Sequence, residues 1–432
     1  MRHLLSTFVG RIVRAAARLR GGGSALPGLV VERFDPQYLP RLMAQLPFGV
    51  VAISGTNGKT TTTKMVVELL SAQGLKVFTN KTGSNFARGI VAAALGEVNW
   101  KGELKADIAV LELDEAHAMH VIDRVRPRHT LLLNVLRDQL DRFGELDYTA
   151  SLLKKLADAT QDTVVVNCED PLLHEIGVQL SAAGRVRVLE FGLSESLREL
   201  FPNDQDLYGA ATEIAVKAGH KQPDVMLTAV GEQRAKYLID GAEFETTLRL
   251  EGLYNLFNAA AAMTLVRAIL AHNATPVASD KLLHDLAEIR PAFGRGEQLE
   301  LDGEKLELVL VKNPAGFRLG LASFAPENVA VMIAINDQYA DGRDMSWLWD
   351  VDFSTLQAGG VDTVSGVRAW DMTLRLQHDE VAVGQTIEDL RTAVASFRER
   401  TAGVPRRIYC SYTAMLEIRK YLAELTDVED VW

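Results

Sequence analysis

Residues 48–61 of the chain read FGVVAISGTNGKTT, an apolar run followed by a segment with two glycines, a lysine and three threonines. The apolar part, from Phe48 to Ser54, is predicted to be a buried strand, and the segment from Thr60 to Gln73 a helix. Glycines let the backbone N–H groups of such a loop turn towards phosphate oxygens, and the helix adds its positive dipole end. The pattern therefore predicts a phosphate-binding loop in an α/β domain.

Individual side chains of this loop have predicted roles. Lys59 would neutralise the β- and γ-phosphates of a nucleotide, and the Thr60 hydroxyl would reach Mg²⁺. The full P-loop pattern has a glycine five residues before Gly58, where this chain has Ile53, so the loop is a shortened form. The residues predicted to contact the nucleotide are Gly55, Thr56, Asn57, Gly58, Lys59, Thr60 and Thr61.

Strands and helices alternate beyond the loop, which indicates a mostly parallel sheet with both faces covered. Further strands are predicted at residues 107–113, 130–135, 163–167 and 186–191. Residues 200–250 are more polar and favour a small antiparallel insertion. The apolar segment 255–270 is interrupted by polar residues and is predicted to be a buried core helix rather than a membrane span.

The pattern starts anew around Arg290, and strands again alternate with helices to the end of the chain. These strands are predicted at residues 306–311, 328–335, 363–365 and 407–410, and they indicate a second, smaller α/β domain. The three predicted parts of the chain are a basic amphipathic segment with a linker (1–45), a central domain (46–290) and a C-terminal domain (291–432).

Residues 1–20 contain five arginines and no acid, and the first acidic residue is Glu32. Leu4, Phe8 and Ile12 recur at helical spacing and predict an apolar stripe. Three interpretations stay open: a helix packed on the following domain, a helix at a membrane surface, and a targeting segment. We expect a cytoplasmic location, with peripheral contact at the anionic inner face of the membrane as a hypothesis.

The composition excludes several classes of protein. Hydrophobic residues make up 47% and charged residues 24% of the 432 residues, which is ordinary globular usage and excludes a disordered or fibrous chain. The formal charge of −11 argues against sequence-independent nucleic-acid binding, so we expect no nucleic-acid partner. Two cysteines are too few for a disulfide framework or a four-thiolate zinc site, and they fit a reducing cytoplasm.

Glu112 is the first candidate for a metal ligand. It ends a predicted buried strand, and ligand sites in open α/β sheets gather at the carboxyl ends of the strands. A carboxylate beside phosphates suits the hard ion Mg²⁺. Asp114 and Glu115 are second choices, and the alternative is an acid at the strand end that only faces water.

The sequence Gly-Thr-Asn-Gly-Lys-Thr-Thr after an apolar strand resembles the ATP loop of the Mur ligases and folylpolyglutamate synthetases. Those enzymes activate a carboxylate as an acyl phosphate and capture it with an amine. The resemblance implies ATP and Mg²⁺ as cofactors. It also implies the fold class: an α/β protein with a Mur-ligase-type P-loop central domain containing a parallel sheet, and a smaller C-terminal Rossmann-like α/β domain.

The resemblance carries roles to four further residues. Asn255 would read the edge of the adenine, and Arg295 would cross to the γ-phosphate as a catalytic residue. Lys312 is assigned to nucleotide or substrate contact. Gln139 stands where most Mur ligases place a metal-binding His, and its amide oxygen would be a weaker Mg²⁺ ligand. Taken alone, an Asn near a helix start is more often a cap, and a lone Arg often only forms a salt bridge.

Three segments resemble the MurT-like branch of the Mur ligase family: RDQLDR at 137–142, INDQYADGRDMSWLWD at 335–350 and SGVRAWDM at 365–372. This implies a ligase that converts the α-carboxylate of D-glutamate in the peptidoglycan stem to D-isoglutamine. The implied acceptor is lipid II or a related muropeptide. The implied partner is a GatD-like class I glutaminase, which forms a heterodimer with the synthetase subunit and supplies ammonia.

The two cysteines bear on the source of ammonia. Cys168 lacks the Gly-x-Cys-x-Gly turn of a glutaminase nucleophile, and Cys410 has no nearby His, so ammonia is expected from elsewhere. In the family, an Asp of the synthetase subunit completes the partner's Cys–His pair; Asp350 is the first candidate and Asp344 the second. MurT-like proteins also carry a four-cysteine zinc ribbon, but residues 200–250 contain no Cys, so we predict no zinc site.

Two other functions are weighed against amidation. One is a Mur-type ligase that adds an amino acid to a carboxylate. The other is a non-catalytic nucleotide-binding subunit, against which the presence of Lys59, Glu112 and Arg295 argues.

Overall fold

The computed structural model of the chain describes residues 2–19, 26–80, 86–136, 146–201, 222–231, 233–249, 252–275, 277–289, 295–323 and 328–428. The chain forms two compact units. The first comprises Met1–Val135, Leu146–Arg249 and Asn255–Ile289, and the second Leu136–Glu145, Leu250–Tyr254 and Arg290–Trp432.

The first unit is a nine-stranded sheet with helices. Its strands are β1 (Val50–Ser54), β2 (Val77–Thr79), β3 (Ile108–Glu112), β4 (His129–Leu132), β5 (Thr163–Asn167), β6 (Arg187–Leu193), β7 (Val225–Val230), β8 (Arg234–Ile239) and β9 (Ala242–Thr247). Its helices are α1 (Arg2–Leu19), α2 (Leu26–Phe34), α3 (Tyr38–Met43), α4 (Lys59–Ala72), α5 (Ala87–Glu97), α6 (Glu115–Ile122), α7 (Leu146–Asp158), α8 (Pro171–Ala183), α9 (Leu253–His272) and α10 (Ser279–Ala287).

The strand order of this sheet is β2-β3-β1-β4-β5-β6-β7-β8-β9. The strands from β2 to β7 are parallel, and every residue of β1, β3, β4 and β5 is buried, as expected for strands covered on both faces. β1 lies between β3 and β4, so the connections from it diverge in the two directions of the sheet. Ligands of open α/β sheets bind at such a point, outside the carboxyl ends of the strands.

The polar region predicted to be an antiparallel insertion continues the main sheet instead. β7 pairs in parallel with β6, and β8 and β9 then extend the edge in antiparallel pairs. Alternate residues of β7 and β8 are buried, among them Leu227 and Tyr237. The strands are amphipathic because only one face of this edge is covered, which explains why the sequence reads as a separate polar segment.

The long apolar helix α9 is the core helix that the sequence predicted. It is long and apolar enough to cross a membrane, but 78% of its most apolar window is buried inside the protein. From Leu256 to Leu270 every residue except Arg267 is buried, including Asn258 and Thr264, and the Thr264 hydroxyl donates to the Ala260 carbonyl. A helix that is apolar all round fits this interior position.

Helix α1 packs on α2 and α5 through its small and polar residues. The Ser6 hydroxyl donates to Asp35 at 2.7 Å, and Thr7 Oγ1 lies 3.0 Å from the Tyr38 hydroxyl. A Cβ added to Gly10 would come within 2.6 Å of the Leu95 side chain, so a larger residue would push the helices apart. The packed face of α1 is therefore not its apolar stripe.

The second unit contains a six-stranded sheet. Its strands are β10 (Arg295–Leu301), β11 (Glu304–Leu310), β12 (Ala330–Ala334), β13 (Val361–Ser365), β14 (Val383–Ile387) and β15 (Arg406–Cys410). Its helices are α11 (Pro314–Ser323), α12 (Ala369–His378), α13 (Leu390–Arg400) and α14 (Tyr412–Leu422). The order is β10-β11-β15-β12-β13-β14, in which only the pair β10–β11 is antiparallel.

Both faces of the second sheet are covered. Along β12, Val331 and Ile333 belong to one apolar cluster, whereas Met332 and Ala334 belong to another. Successive residues of a strand point to opposite faces, so the two clusters lie on the two sides of the sheet. The described fold is thus α/β in both units, with a separate C-terminal domain, as the sequence predicted.

Candidate active site

The loop after β1 has a backbone that only glycine adopts easily at two positions. Gly55 has φ +133° and Gly58, which precedes the first residue of α4, has φ +84°. A Cβ on Gly55 would lie 2.9 Å from the Asn134 nitrogen, and one on Gly58 would lie 2.8 Å from Asn258 Oδ1. The loop is therefore restricted both by its dihedral angles and by close neighbours.

Asn134, which follows β4, holds the loop in place. The Thr56 N–H donates to the Asn134 carbonyl at 3.0 Å. The Asn57 N–H donates to Asn134 Oδ1 at 2.8 Å, and Asn134 Nδ2 donates to the Asn57 carbonyl at 3.1 Å. Asn134 is not among the site residues predicted from the sequence. Its position at the end of a strand beside β1 is the signal that could have identified it.

Lys59 is the first residue of α4 and is buried. Its Nζ donates to the carbonyls of Gly55 and Thr56, the second at 3.1 Å, and lies 3.5 Å from Glu115 Oε2. The ammonium group is thus held against the loop by oxygens of the loop itself and by one buried carboxylate. The structure places Glu115, a second choice as metal ligand, beside this lysine.

Thr60 and Glu112 are brought together as the metal prediction requires. The Thr60 hydroxyl donates to Glu112 Oε1 at 3.1 Å, and both residues come from elements that adjoin β1. Asn80 fixes the strand end, because its Nδ2 donates to the Glu112 carbonyl at 2.8 Å and its Oδ1 accepts from the Glu112 N–H at 2.9 Å. Asn80 is a second positioning residue that is not among those predicted from the sequence.

The donor set at this loop fits a nucleotide with Mg²⁺. Thr61 Oγ1 is buried and has no hydrogen-bond partner in the part of the chain that the structure describes. Such an orphan hydroxyl costs about 1–3 kcal/mol unless something bonds to it. A glycine loop, a buried ammonium and free hydroxyls suit phosphate oxygens, and the Thr60 and Glu112 oxygens suit Mg²⁺.

For four other predicted residues, the structure shows at most their position in the fold. Asn255 is the third residue of α9 and half-buried, so it lies inside the helix rather than at its cap. Arg295 is the first residue of β10 and pairs with Val309. Lys312 follows β11 and is half-buried. Gln139 lies outside the described residues.

The loops after β12 and β13 form a polar network in the second unit. Asn336, two residues after β12, accepts at Oδ1 from the Val367 N–H at 3.0 Å. Asp341 accepts from the Thr413 N–H at 2.8 Å, which ties the loop to the first turn of α14. The acids here therefore have structural partners.

The four aspartates of the 335–350 segment differ in their partners. Asp337 accepts from Arg368 Nε at 2.8 Å, and Asp344 Oδ1 accepts from the Ser346 N–H at 2.9 Å. Hydrogen bonds from Ser346 lower the pKa of Asp344. Asp350 contrasts with them: it is exposed, and its carboxylate has no hydrogen bond or ion pair within the described residues. Its backbone carbonyl accepts from Arg318 Nε at 2.9 Å.

The turn Ser346–Asp350 presents one tryptophan inward and one outward. Trp347 belongs to an apolar cluster of the second unit, whereas Trp349 is 49% exposed. The Trp349 ring lies edge-on to His378, with centroids 5.6 Å apart, and Arg375 stands 5.4 Å from its centroid. Both of these residues belong to α12, so the turn rests on that helix.

An exposed apolar surface accompanies this turn, and we refer to it as the aromatic surface. Trp370 and Leu374 are one helical turn apart on α12 and therefore neighbours on its face. The five residues of the aromatic surface, each about half exposed or more, are Tyr339, Trp349, Val367, Trp370 and Leu374.

The chain's two cysteines are poor nucleophiles. Burial raises the pKa of the Cys168 thiol, and the charges of Glu169 and Glu190 raise it further. Burial likewise raises the pKa of the Cys410 thiol. Since the thiolate is the reactive form, neither side chain is suited to attack an amide. In the described ranges, no group of three or more His, Cys, Asp or Glu side chains is placed to hold a metal ion.

Known families match most of the chain. Residues 53–266 match the Mur ligase middle domain, and residues 310–415 match the MurT ligase C-terminal domain. The sequence is 29% identical to the lipid II isoglutaminyl synthase (glutamine-hydrolyzing) subunit MurT of Streptococcus pneumoniae, over 97% of this chain and 96% of that protein.

Solved Mur ligases share the fold. MurF from Acinetobacter baumannii superimposes with a TM-score of 0.68 at 18% identity, covering 92% of this chain and 80% of that one. MurF ligase from Thermotoga maritima, solved in complex with ADP, gives a TM-score of 0.65 at 16% identity, covering 90% and 84%.

Proposed function

The chain is a MurT-like member of the Mur ligase family, and from that premise we propose that it amidates the α-carboxylate of D-glutamate in the peptidoglycan stem peptide. The acceptor we propose is lipid II or a related muropeptide, and the product is D-isoglutamine. The chain is a ligase, and its fold relatives imply that it uses ATP. Beyond this ligase activity, we propose the identity of the acceptor, the acyl phosphate intermediate and the source of the nitrogen.

The proposed reaction has two steps. A carboxylate oxygen of the acceptor attacks the γ-phosphorus of ATP, ADP leaves, and an acyl phosphate forms. Ammonia then attacks the acyl carbon, phosphate leaves, and the nitrogen loses a proton to solvent. The first step brings anionic groups together, so it needs positive charge that is already in position.

Residues of this chain would supply that positioning. The buried Lys59 ammonium would neutralise the phosphates, and the N–H groups of the first turn of α4 would bind their oxygens, since the Thr56 and Asn57 N–H groups donate to Asn134. Mg²⁺, held by Thr60 and Glu112, would reduce the charge of the phosphate oxygens. We assign Arg295 to charge stabilisation at the γ-phosphate, Asn255 to the adenine, Lys312 to nucleotide or substrate contact, and Gln139 to a weaker second metal position.

We propose that ammonia comes from a partner, a GatD-like class I glutaminase. Two features of the chain support this. Neither cysteine can readily form a thiolate. In addition, Asp350 has an exposed carboxylate that the described chain does not use, next to the aromatic surface. An interface core rich in tryptophan and tyrosine is typical of protein partners.

Asp350 would then orient and charge-stabilise the partner's catalytic His. Asp344 is the second candidate, but its carboxylate already bonds to Ser346. In this assignment residues 46–290 bind ATP, and residues 291–432 contact the glutaminase.

The observation that carries the proposal is the Lys59, Thr60 and Glu112 cluster at the loop after β1. It is tested with purified protein, ATP, Mg²⁺, a muropeptide acceptor and ammonium chloride. We expect the mass change from carboxyl to carboxamide, and ADP release that depends on ammonium. ADP release stimulated by an amino acid instead would support an amino-acid-adding ligase, and ATP binding without turnover would support a non-catalytic subunit.

A further inference from the structure

The first helix of the chain is oriented with its apolar side outward. Ser6 and Thr7 contact Asp35 and Tyr38 near the start of α3, and Gly10 fits against α2 and α5, while Leu5, Phe8 and Ile12 are 50%, 53% and 53% exposed. These three residues are spaced at i, i+3 and i+7, so they form one stripe along the helix. A surface helix normally buries such a stripe, and here the stripe is the face left uncovered.

The orientation is fixed by specific contacts on the packed side. Besides the bonds of Ser6 and Thr7, Arg11 donates to the Val98 carbonyl and stacks over the Trp100 ring, 4.3 Å from its centroid. Rotating the helix to bury Phe8 would break these contacts and bring Gly10 out of its close fit. The exposed stripe is therefore a stable feature of the packed helix.

The neighbouring helix contributes apolar surface of the same kind. α2 packs on α1 and buries Pro27, Gly28 and Val31, yet leaves Leu26 and Leu29 exposed at 49% and 41%. Several large apolar side chains are thus exposed on two helices in contact. Clusters of this sort mark interaction sites, whereas single exposed apolar residues do not.

The charge of residues 1–31 indicates what kind of partner this apolar face would bind. Residues 1–31 contain five arginines and no acid, whereas the whole chain carries −11, so the remaining residues carry −16. A cationic segment on an anionic protein would be attracted to anionic lipid headgroups. Two copies of the chain meeting through this face would instead bring like charges together.

We propose that the exposed apolar face of α1, with Leu26 and Leu29 of α2, inserts into the headgroup region of an anionic membrane. Phe8, Ile12 and Leu5 would enter the acyl boundary, and the net positive charge of residues 1–31 would attract the anionic headgroups. Helices that lie in the membrane interface combine an exposed apolar face with basic residues. The contact would bring the ATP-binding unit to the surface where a lipid-linked acceptor resides.

The proposal is tested with the full chain and lipid vesicles, in the absence of nucleotide and acceptor. We expect the protein to sediment with vesicles of equal parts phosphatidylglycerol and phosphatidylcholine, and much less with phosphatidylcholine alone. Binding should weaken as salt is raised, because screening reduces the attraction between arginines and lipid phosphates.

Phe8→Ser combined with Ile12→Ser removes apolar surface without changing charge and should lower the partition coefficient about tenfold or more. The matched control is Tyr148→Ser with Val178→Ser, which removes residues of similar exposure from α7 and α8 and should bind like the parent protein. Circular dichroism would verify that both double variants keep the fold.

Two results would overturn the proposal. One is equal sedimentation of the parent protein with anionic and neutral vesicles, or with none. The other is a concentration-dependent dimer that the Phe8→Ser/Ile12→Ser variant loses, which would assign the face to a second copy. Because no substrate is present, either result leaves the amidation proposal to be decided by its own assay.

Discussion

Asn134 and Asn57 form a pair of opposed hydrogen bonds, at 2.8 and 3.1 Å, between the end of β4 and the phosphate loop. The two residues are 77 positions apart in the chain. The pair fixes both main-chain polar groups of Asn57, its N–H and its carbonyl, so the loop keeps its curvature without a ligand. Pre-formed loops bind phosphate without first having to be ordered, which favours affinity.

Asn134→Ala should therefore weaken ATP binding. Two hydrogen bonds contribute about 1–3 kcal/mol together, so the KM for ATP should rise about tenfold or more. Asn134→Asp keeps the acceptor oxygen but loses the donor and adds a negative charge beside the phosphate loop, so the KM should rise at least as much. An unchanged KM in the alanine variant, measured by ADP release, would contradict the role of this pair.

Lys59→Met should abolish ligase activity and also destabilise the fold. Without the ammonium, Glu115 becomes a buried carboxylate that lacks its charged partner, and breaking a buried pair costs about 3–5 kcal/mol. Adding Glu115→Gln should recover much of the stability but none of the activity. Urea denaturation and ADP release measure the two effects. Full activity in Lys59→Met would refute the assignment of the loop to catalysis.

Asp350→Asn should separate the two nitrogen sources, glutamine and ammonium, in a complex with the glutaminase that we propose as partner. Activity with glutamine should fall at least about a hundredfold, because the partner's His loses its charge stabilisation. Activity with ammonium chloride should persist, since the ATP site is untouched. Asp344→Asn is the matched control and should keep glutamine activity. The assignment of Asp350 is wrong if the two variants behave in the opposite way.

The stability of the first unit should fall between pH 6.5 and about pH 4. Burial lowers the pKa of His129 to about 4, from 6.5 for an exposed His. The unfolded chain therefore takes up a proton on this residue at a higher pH than the folded chain does. By pH 5 this difference costs about 2 kcal/mol of unfolding free energy.

His129→Leu removes that titrating group from the start of β4. Denaturant midpoints measured at pH 7 and pH 5 should then differ less than in the parent protein. His272→Leu is the control, because the His272 side chain is partly exposed and lies beside His129, with ring centroids 5.6 Å apart. If the midpoints at pH 7 and pH 5 differ by the same amount in the parent protein and in the His129→Leu variant, the buried imidazole is not the cause of the pH dependence.

The sequence was sufficient for the elements that have strong local patterns. The predicted strand at 163–167 coincides with β5, and the predicted helix at 60–73 differs from α4 by one residue at each end. β1 begins two residues later than predicted, because Gly49 has φ +74° and turns the chain there. Local apolar runs and glycines therefore suffice to predict where these elements begin and end to within one or two residues.

Short or polar strands escaped prediction. β2 has three residues, too few to show any periodicity, and β14 reads VGQTI, with a glycine and two polar residues at the sheet edge. Their positions are set by the strands beside them rather than by their own sequence.

The residues of the candidate site also differ in whether the sequence could predict them. Lys59, Thr60 and Glu112 belong to recognisable motifs, and the structure brings them together. Asn80 and Asn134 act through hydrogen bonds to residues 32 and 77 positions away, and those contacts exist only because β3 and β4 flank β1. Strand order is a property of the whole sheet, so no local sequence pattern predicts the roles of these two residues.

The turn Ser346–Asp350 links the interior of the second unit to its surface through two indole rings. Trp347 is fixed in the core, and Trp349 stands outside it only two residues away. Covering Trp349 and Trp370 of the aromatic surface would change their fluorescence emission, whereas that of the buried Trp347 would change little. The chain therefore carries an intrinsic optical reporter for the arrival of another protein next to Asp350.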